Sequence, residues 1–486
     1  MHWKLLVTSV VHGVLGTFSF YLSPALNPIE MFVKDWMGDC LHKHRDSTQV
    51  SYVWALTNAA FTIGFLFSAW VNGYCTDKFG RRITLMVINN VLLLISCGLH
   101  FTAKIYGQVA LLVAGRLVAG TCLQVALFLY ILGVECSPVH QRETVVILLR
   151  SGFVVTYILG SAVGLPELLG REHYWHYIFL VPVVPAVVHI LLTPLLPESP
   201  KHLYITLRKL EAARNAIKFY HGPNADFEQI EQEFEREGAL ASAHSAGICQ
   251  TLRIRHLRWP FALCLLAGLA SRLGGFDIEN FYSTGIMMNL GISAKDAPMY
   301  NVVILRLPGA VLVLLAMFVI KNIKTKLHLL LTLAGAFVSV GLLMASQFLN
   351  NNVIAVLALL LGITCWHLGN AYIPQMLVGE LCPQVSRSLT TGYQTVVVAL
   401  TSFAVTATYP PLEKLIGPWA LTPMLSLGLM SFLGLVIFLP ETRGKTVEEV
   451  TRRWVETDRE ALFTDVDTQT DFLERSQSLP VGLHLC

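Results

Sequence analysis

Four arginines, Arg116, Arg150, Arg272 and Arg306, sit inside long apolar runs of the sequence. A guanidinium is a rigid fork of donors matched to carboxylates, and at mid-bilayer its charge costs at least about 3 kcal/mol, so each must face a wet cavity or a partner. At about 1.5 Å per helical residue, Arg150 lies roughly 12 Å beyond Arg142, Arg272 roughly 21 Å beyond Arg258 and Arg306 roughly 22 Å before Lys321. The last two are near the middle. Asp277 and Glu279 follow Arg272 within two turns, with Asn280 and Tyr282 just behind. In one reading Arg150 and Arg272 grip an anionic or carboxylate-bearing solute through bidentate contacts. In another, Arg272 is paired to Asp277 or Glu279, and a neutral sugar or polyol is held by Asn280, Tyr282 and Gln375. A third makes Arg306 and Arg150 structural, pairing between helices or reaching to the interface. The sequence has no phosphate-binding glycine loop, G-x-S-x-G or H-E-x-x-H, so pump and hydrolase chemistry lacks an anchor and the chain reads as a non-enzyme.

A second set of charges lies at the ends of the apolar runs. Gly73, Asp77, Gly80, Arg81 and Arg82 form G-x-x-x-D-x-x-G-R-R, where the glycines permit close approach and a tight turn, Asp77 suits a helix N-terminus, and the arginines offer donors to carboxylates. Glu135, Glu198, Glu380 and Glu441 are the acceptors expected within reach of them and of Arg142 and Arg387. Glu135, Pro138 and Arg142 spell E-x-x-P-x-x-x-R, and Glu380, Pro383 and Arg387 spell it again 245 residues later. Pro197-Glu198 recurs as Pro440-Glu441 at an offset of 243. Two motifs repeating at half the chain length predict two parallel six-helix halves around a midplane cavity. The charges are expected to form an ionic latch that holds this side shut and breaks when it opens.

These positions require membrane-spanning elements, and composition agrees. The 486 residues are 54% hydrophobic and only 14% charged, with a net charge of +3, which excludes most soluble classes and any global basic field for nucleic acid. The ten cysteines are scattered without C-x-x-C and read as small hydrophobes, not as a metal site. Twelve runs reach the roughly 20 apolar residues a spanning helix needs: about 5–31, 51–73, 83–103, 107–133, 144–169, 175–196, 259–290, 298–320, 327–348, 352–378, 388–409 and 418–439. The expected fold is therefore all-α and polytopic. Its parts are an N-terminal half at 1–202, a helical linker at 203–257, a C-terminal half at 258–442 and a tail at 443–486. With both termini on the cytoplasmic side, outer loops hold seven of the 35 Lys and Arg, spans hold four and inner segments the other 24, a steep positive-inside bias.

With G-x-x-x-D-x-x-G-R-R, Gly115-Arg116 with Gly120, both E-x-x-P-x-x-x-R copies, P-E-S-P-K-H-L at Pro197 to Leu203 and P-E-T-R-G-K-T at Pro440 to Thr446, the chain resembles the sugar porter family of the major facilitator superfamily. The resemblance implies twelve helices in two bundles, movement of a small polar solute by alternating access, and no prosthetic group or metal. Where the family carries Q-Q-L-S-G-I-N, this chain has Ser271-Arg272-Leu273-Gly274-Gly275-Phe276-Asp277, and Arg150 and Gln375 stand where a glutamine and a tryptophan are usual. From Leu5 to Pro28 the first span carries no carboxylate, which favours facilitated diffusion over proton coupling. The expectation is a multi-pass protein, placed in the plasma membrane, that moves a sugar or polyol. The alternatives are an organic-anion facilitator using Arg150 and Arg272, and a non-transporting solute sensor. Lipid and a small solute are its partners.

Overall fold

A backbone crossing lipid must close its own hydrogen bonds, so runs this apolar have to be helical, and no strand occurs among the described residues. A computed structural model describes residues 2–45, 47–123, 125–138, 141–223, 225–241, 247–308, 311, 323–443, 445, 447, 449–452 and 454. Among them, nine stretches are long and apolar enough to span a bilayer: Trp3–Leu22, Thr48–Ser68, Arg81–Tyr106, Thr144–Ala162, Trp175–Leu195, Arg255–Asn289, Thr325–Leu349, Asn352–Leu381 and Val385–Phe438. The last contains two helices, and the helical segments at 109–136 and from 297 onward fill the fourth and eighth places of twelve. The rest of the eighth span, and the tail past 454, lie outside the described residues.

Helix α1 (Trp3–Leu15) passes into a tight turn at Phe18–Leu22, and α2 (Glu30–Leu41) follows. The first span therefore ends at Leu22 instead of near residue 31, because Pro24 and Pro28 supply no N–H to continue it. Next come α3 (Thr48–Phe79), α4 (Asn89–Tyr106), α5 (Val109–Thr121), α6 (Val125–Cys136), α7 (Arg142–Ala162) and α8 (Val183–Leu191). Ser47 starts α3 by accepting the Val50 N–H at 3.3 Å. The linker forms α9 (Leu210–His221), α10 (Phe227–Ala241) and α11 (Ile248–Arg253). On α9 the residues Ala213, Ala216 and Ile217 bury against Leu203, Tyr204 and Phe234, while Tyr220, one turn on, packs with Leu5, Leu132 and Cys136 of the first half.

The second half contains α12 (Arg255–Leu273), α13 (Phe276–Asn289), a wide turn at Tyr300–Arg306, α14 (Thr325–Leu349), α15 (Asn352–Cys365), α16 (Ile373–Leu381), α17 (Gln384–Ile416) and α18 (Thr422–Phe438). Two of its spans are broken. The seventh is interrupted at Gly274 and Gly275, the latter at φ 93°, a conformation only glycine adopts freely. The tenth is interrupted between α15 and α16, where Asn370 exchanges bonds with Thr332 of α14 at 2.9 and 3.3 Å. In the first half the first span packs on the fifth, and the third on the fourth and sixth; in the second half the seventh packs on the eleventh, and the ninth on the tenth and twelfth. The repeat read from the motifs is thus also a repeat of packing. The halves meet most extensively where α3 lies along α17.

Helices α3 and α5 touch backbone to backbone. A side chain on Gly64 would run into the Leu117 carbonyl, and one on Gly120 into the Phe61 carbonyl, while Gly98 has open space around it. Gly120→Val should therefore destabilise the first half by about 1–3 kcal/mol, read as a lower unfolding temperature in detergent, whereas Gly98→Ala should not move it. Equal behaviour of the two variants would contradict this close approach.

Candidate functional site

The linker-side charges are built twice. Glu135 accepts from Ser199 Oγ at 2.5 Å, and Glu380 accepts from Thr442 Oγ1; Ser199 and Thr442 each directly follow a Pro-Glu pair. Arg81 Nε stands 3.4 Å from Glu135, and its Nη1 meets His202 Nδ1 at 2.7 Å. The Arg82 N–H donates to the Glu198 carboxylate at 3.0 and 3.1 Å, and its guanidinium donates to the Leu196 carbonyl at 2.7 Å. Gly80, at φ 90°, leaves that carboxylate the room a side chain would take. Arg142 pairs with Glu233 of α10 at 3.4 Å, Arg387 donates to the Gly379 and Cys382 carbonyls at 3.1 and 3.4 Å, and Glu441 accepts the Arg443 N–H at 3.1 Å. Gly73 and Asp77 fall within α3, but their surroundings lie outside the described residues.

All of these bonds close within one half or onto the linker. Among the described residues, the charges expected to form a latch close inside each half, where Ser199 and Thr442, next to the Pro-Glu pairs, bond Glu135 and Glu380 of the same half. Burial pushes the Glu198 carboxyl above the ordinary carboxylate range, against the Ser199 and Arg82 N–H groups and the charges of Arg82 and Arg81.

The membrane-buried groups gather around the break in the seventh span. Arg272 Nη1 donates to Asp277 Oδ1 at 3.3 Å, and Asp277 Oδ2 accepts from Ser402 of α17 at 2.6 Å. The same guanidinium lies 4.7 Å above the Trp366 ring, which stacks on Phe276 at 3.9 Å. Glu279 accepts from Ser339 Oγ at 3.4 Å, and its Oε2 has no partner among the described residues. Arg306 donates to Asn301 at 2.8 Å and to the Asn280 carbonyl at 3.4 Å, and sits 4.7 Å over Tyr157 of α7.

On the side away from the linker, hydrogen bonds join the halves. Tyr157 donates to Asn280 Oδ1 at 2.5 Å, and Asn280 Nδ2 donates to Ser23 at 3.0 Å. Asn27 donates to the Asn280 carbonyl at 2.7 Å and to Ser283 at 2.8 Å, and accepts the Thr284 N–H at 3.0 Å. Within the second half, Tyr282 donates to the Thr406 carbonyl at 2.7 Å.

The predicted solute residues therefore divide. Arg272, Asp277, Glu279 and Asn280 come together; the Asn280 amide is engaged at both ends by the first half, Tyr282 is turned to α17, and Gln375 is exposed. The side chain of Arg150 lies outside the described residues. Arg306 is buried and bonds to Asn301 and the Asn280 carbonyl. Sequence reasoning missed Asn27, Tyr157, Ser402 and Trp366. Only Asn27 carried a signal, being an amide between two prolines in an apolar run. The described residues contain no cluster of three metal-ligating side chains.

The family described as "Sugar (and other) transporter" matches residues 8–454. The chain is 24% identical over 459 residues to solute carrier family 2, facilitated glucose transporter member 14 of Homo sapiens, covering 92% of this chain and 87% of that one. It is 24% identical over 462 residues to facilitated glucose transporter member 3 of Oryctolagus cuniculus, covering 93% and 92%. Among solved structures, the inward open conformation of the xylose transporter XylE from E. coli is similar at TM-score 0.74 and 19% identity, covering 93% of this chain and 100% of that one. The partially occluded inward open conformation of the same transporter gives 0.74 and 17%, covering 91% and 99%.

Because its folded-state proton is held to higher pH, Glu198 stabilises the fold below the ordinary carboxylate range and loses that contribution as pH rises through the raised value. Relative to Glu198→Gln, which does not titrate, the wild-type melting temperature should fall as pH climbs from about 4 to about 7. A difference moving in favour of wild type would show that the N–H donors outweigh burial.

Proposed function

Since this chain belongs to the sugar (and other) transporter family, we propose that it moves a neutral sugar or polyol across a membrane by facilitated diffusion, with access to a central site alternating between the two sides. The observation that carries the neutral solute is the pairing of Arg272 with Asp277. A guanidinium already held by a carboxylate and covered by Trp366 has little attraction left for an anion, and removing either partner would leave a buried charge uncompensated. Hydroxyls can instead be met by Glu279 Oε2 and Arg306 Nη1, which have no partner among the described residues, and by the flat face of Trp366. The glucose and xylose transporters among the similar proteins fit this reading. So does the first span, which has no carboxylate to carry a proton.

The orientation proposed is that of the positive-inside bias, with both termini, the 203–257 linker and the 443–486 tail in the cytoplasm of a plasma-membrane protein. The clamps of Arg81, Arg82, Arg142 and Arg387 then face the cytoplasm and keep each half rigid while the halves rock against one another. Gln375 and Arg150 remain proposed contacts from the tenth and fifth spans.

Reconstituted into liposomes, the protein should show saturable uptake of D-glucose or D-xylose that unlabelled sugar accelerates by exchange. Urate or lactate taken up in place of any sugar would establish the anion reading, and binding without flux the sensor. Asp277→Leu should cut uptake more than tenfold by stranding Arg272, and Arg272→Gln combined with Asp277→Asn should restore much of it. A double variant as inactive as the single one would mean that the charges act on the solute and not on each other.

A further inference from the structure

On the side away from the linker, one stripe of α3 carries Trp54, Asn58 and Phe61, spaced four and three residues apart. Phe61 meets Phe281 of α13 edge to face at 5.9 Å, and the Arg116 guanidinium of α5 lies 4.2 Å from the first ring and 5.6 Å from the second. Helix α2 closes the group. Glu30 presses on α13 so closely that a side chain at Gly285 would come 2.7 Å from its carboxylate, and Lys34, bonded to Glu30, stands 5.7 Å over the Trp54 ring. The stripe is therefore part of the seam between the halves, and Glu30, Trp54, Asn58 and Arg116 are each more than nine-tenths buried there.

Trp54 Nε1, Asn58 Oδ1, Arg116 Nε and Nη2, and Glu30 Oε2 have no hydrogen-bond partner among the described residues, while the Asn58 amide nitrogen lies against the Tyr282 hydroxyl. Arg116 uses only Nη1, on the Leu22 carbonyl at 2.5 Å. Native interiors leave few such atoms unmatched, and five on three neighbouring helices are groups that a ligand from outside the chain could match. The set mixes donors with acceptors beside two flat phenyl rings. That suits a neutral polyhydroxylated ring, whose hydroxyls both give and accept and whose C–H faces lie on aromatic surfaces. An anion would meet Glu30, and a cation Arg116.

Building on the sugar-transporter reading, we propose that Glu30, Trp54, Asn58 and Arg116 form a second sugar subsite at the mouth opposite the linker, occupied when the halves part on that side and dismantled when they close on it, as here. It shares no residue with the group around Arg272, Asp277 and Glu279. It lies on the far-side seam that Asn27 and Asn280 fasten, so it meets solute from one face of the membrane only.

The test uses oriented vesicles and maltose, a disaccharide presented to one face at a time, as inhibitor of D-glucose uptake. Trp54→Phe removes one N–H and keeps a ring; Asn58→Leu keeps the shape and removes the amide. In each, the ratio of the maltose inhibition constant on the far side to that on the linker side should rise at least fivefold over wild type, with Gly98→Ala as the control that leaves the ratio alone. Equal weakening on both faces, or an unchanged ratio in Trp54→Phe, would overturn the subsite. Wild-type vesicles with no saturable glucose flux would instead overturn the sugar reading itself, so the two failures are distinct.

Discussion

The structure depends first on neutralising a guanidinium inside the membrane without surrendering the helix that carries it. In an unbroken helix, residues five apart point to different faces, so Arg272 and Asp277 would not meet. The interruption at Gly274 and Gly275 turns α13 relative to α12 and brings the two within 3.3 Å. The same break gives α13 a free N-terminus, where the acidic first turn of Asp277 and Glu279 is favoured by the helix dipole. Ser402 and Trp366 then fasten the pair to the eleventh and tenth spans. A charge that would be expensive alone becomes a neutral knot around which the second half packs.

A second constraint governs how the halves are joined. On the linker side each half satisfies its own charges, through Glu135 with Ser199 in one and Glu380 with Thr442 in the other. On the opposite side, Asn27 and Asn280 bond across the seam, largely through backbone carbonyl and N–H groups of α13. Internal clamps tie the spans of each half together on this side. Polar bonds to backbone, unlike packed apolar surface, can be exchanged for water when the halves separate. This combination is what rocking about a central site requires.

Much of this architecture was legible in the sequence, and the boundary of legibility is physical. Span count and the two-fold repeat follow from apolar length and from motifs spaced 245 and 243 residues apart, both local properties of the chain. The neutral pairing of Arg272 was one of two open readings, because a five-residue separation says nothing of a bend until Gly275 is seen at positive φ. Contacts made over long separations left no trace: Tyr157 with Asn280, Asp277 with Ser402, and the buried hydrogen bond of His12 with His189 at 3.1 Å, which Asn90 extends. The direction of the linker-side charges was likewise unreadable. A glutamate at a helix end can turn to its own half or to the other, and only the bonds of Glu135 to Ser199 and of Glu380 to Thr442 decide.

The unmatched polar atoms give the final step. Glu279 Oε2 and Arg306 Nη1 lie in the second half near the break, while Trp54 Nε1, Asn58 Oδ1 and two Arg116 nitrogens lie on the seam toward the far side. Both groups are buried. A site that leaves donors and acceptors unpaired when empty discriminates strongly, since a solute lacking a hydroxyl at the right place leaves them unpaired still. Under the proposed function, selectivity rests on matching hydroxyls along a route that is nearly uncharged. The buried charges are spent on one another or on rings, as Arg272 is on Asp277 and Arg116 on Phe61 and Phe281, and the proposed sites offer a solute what those pairings leave over.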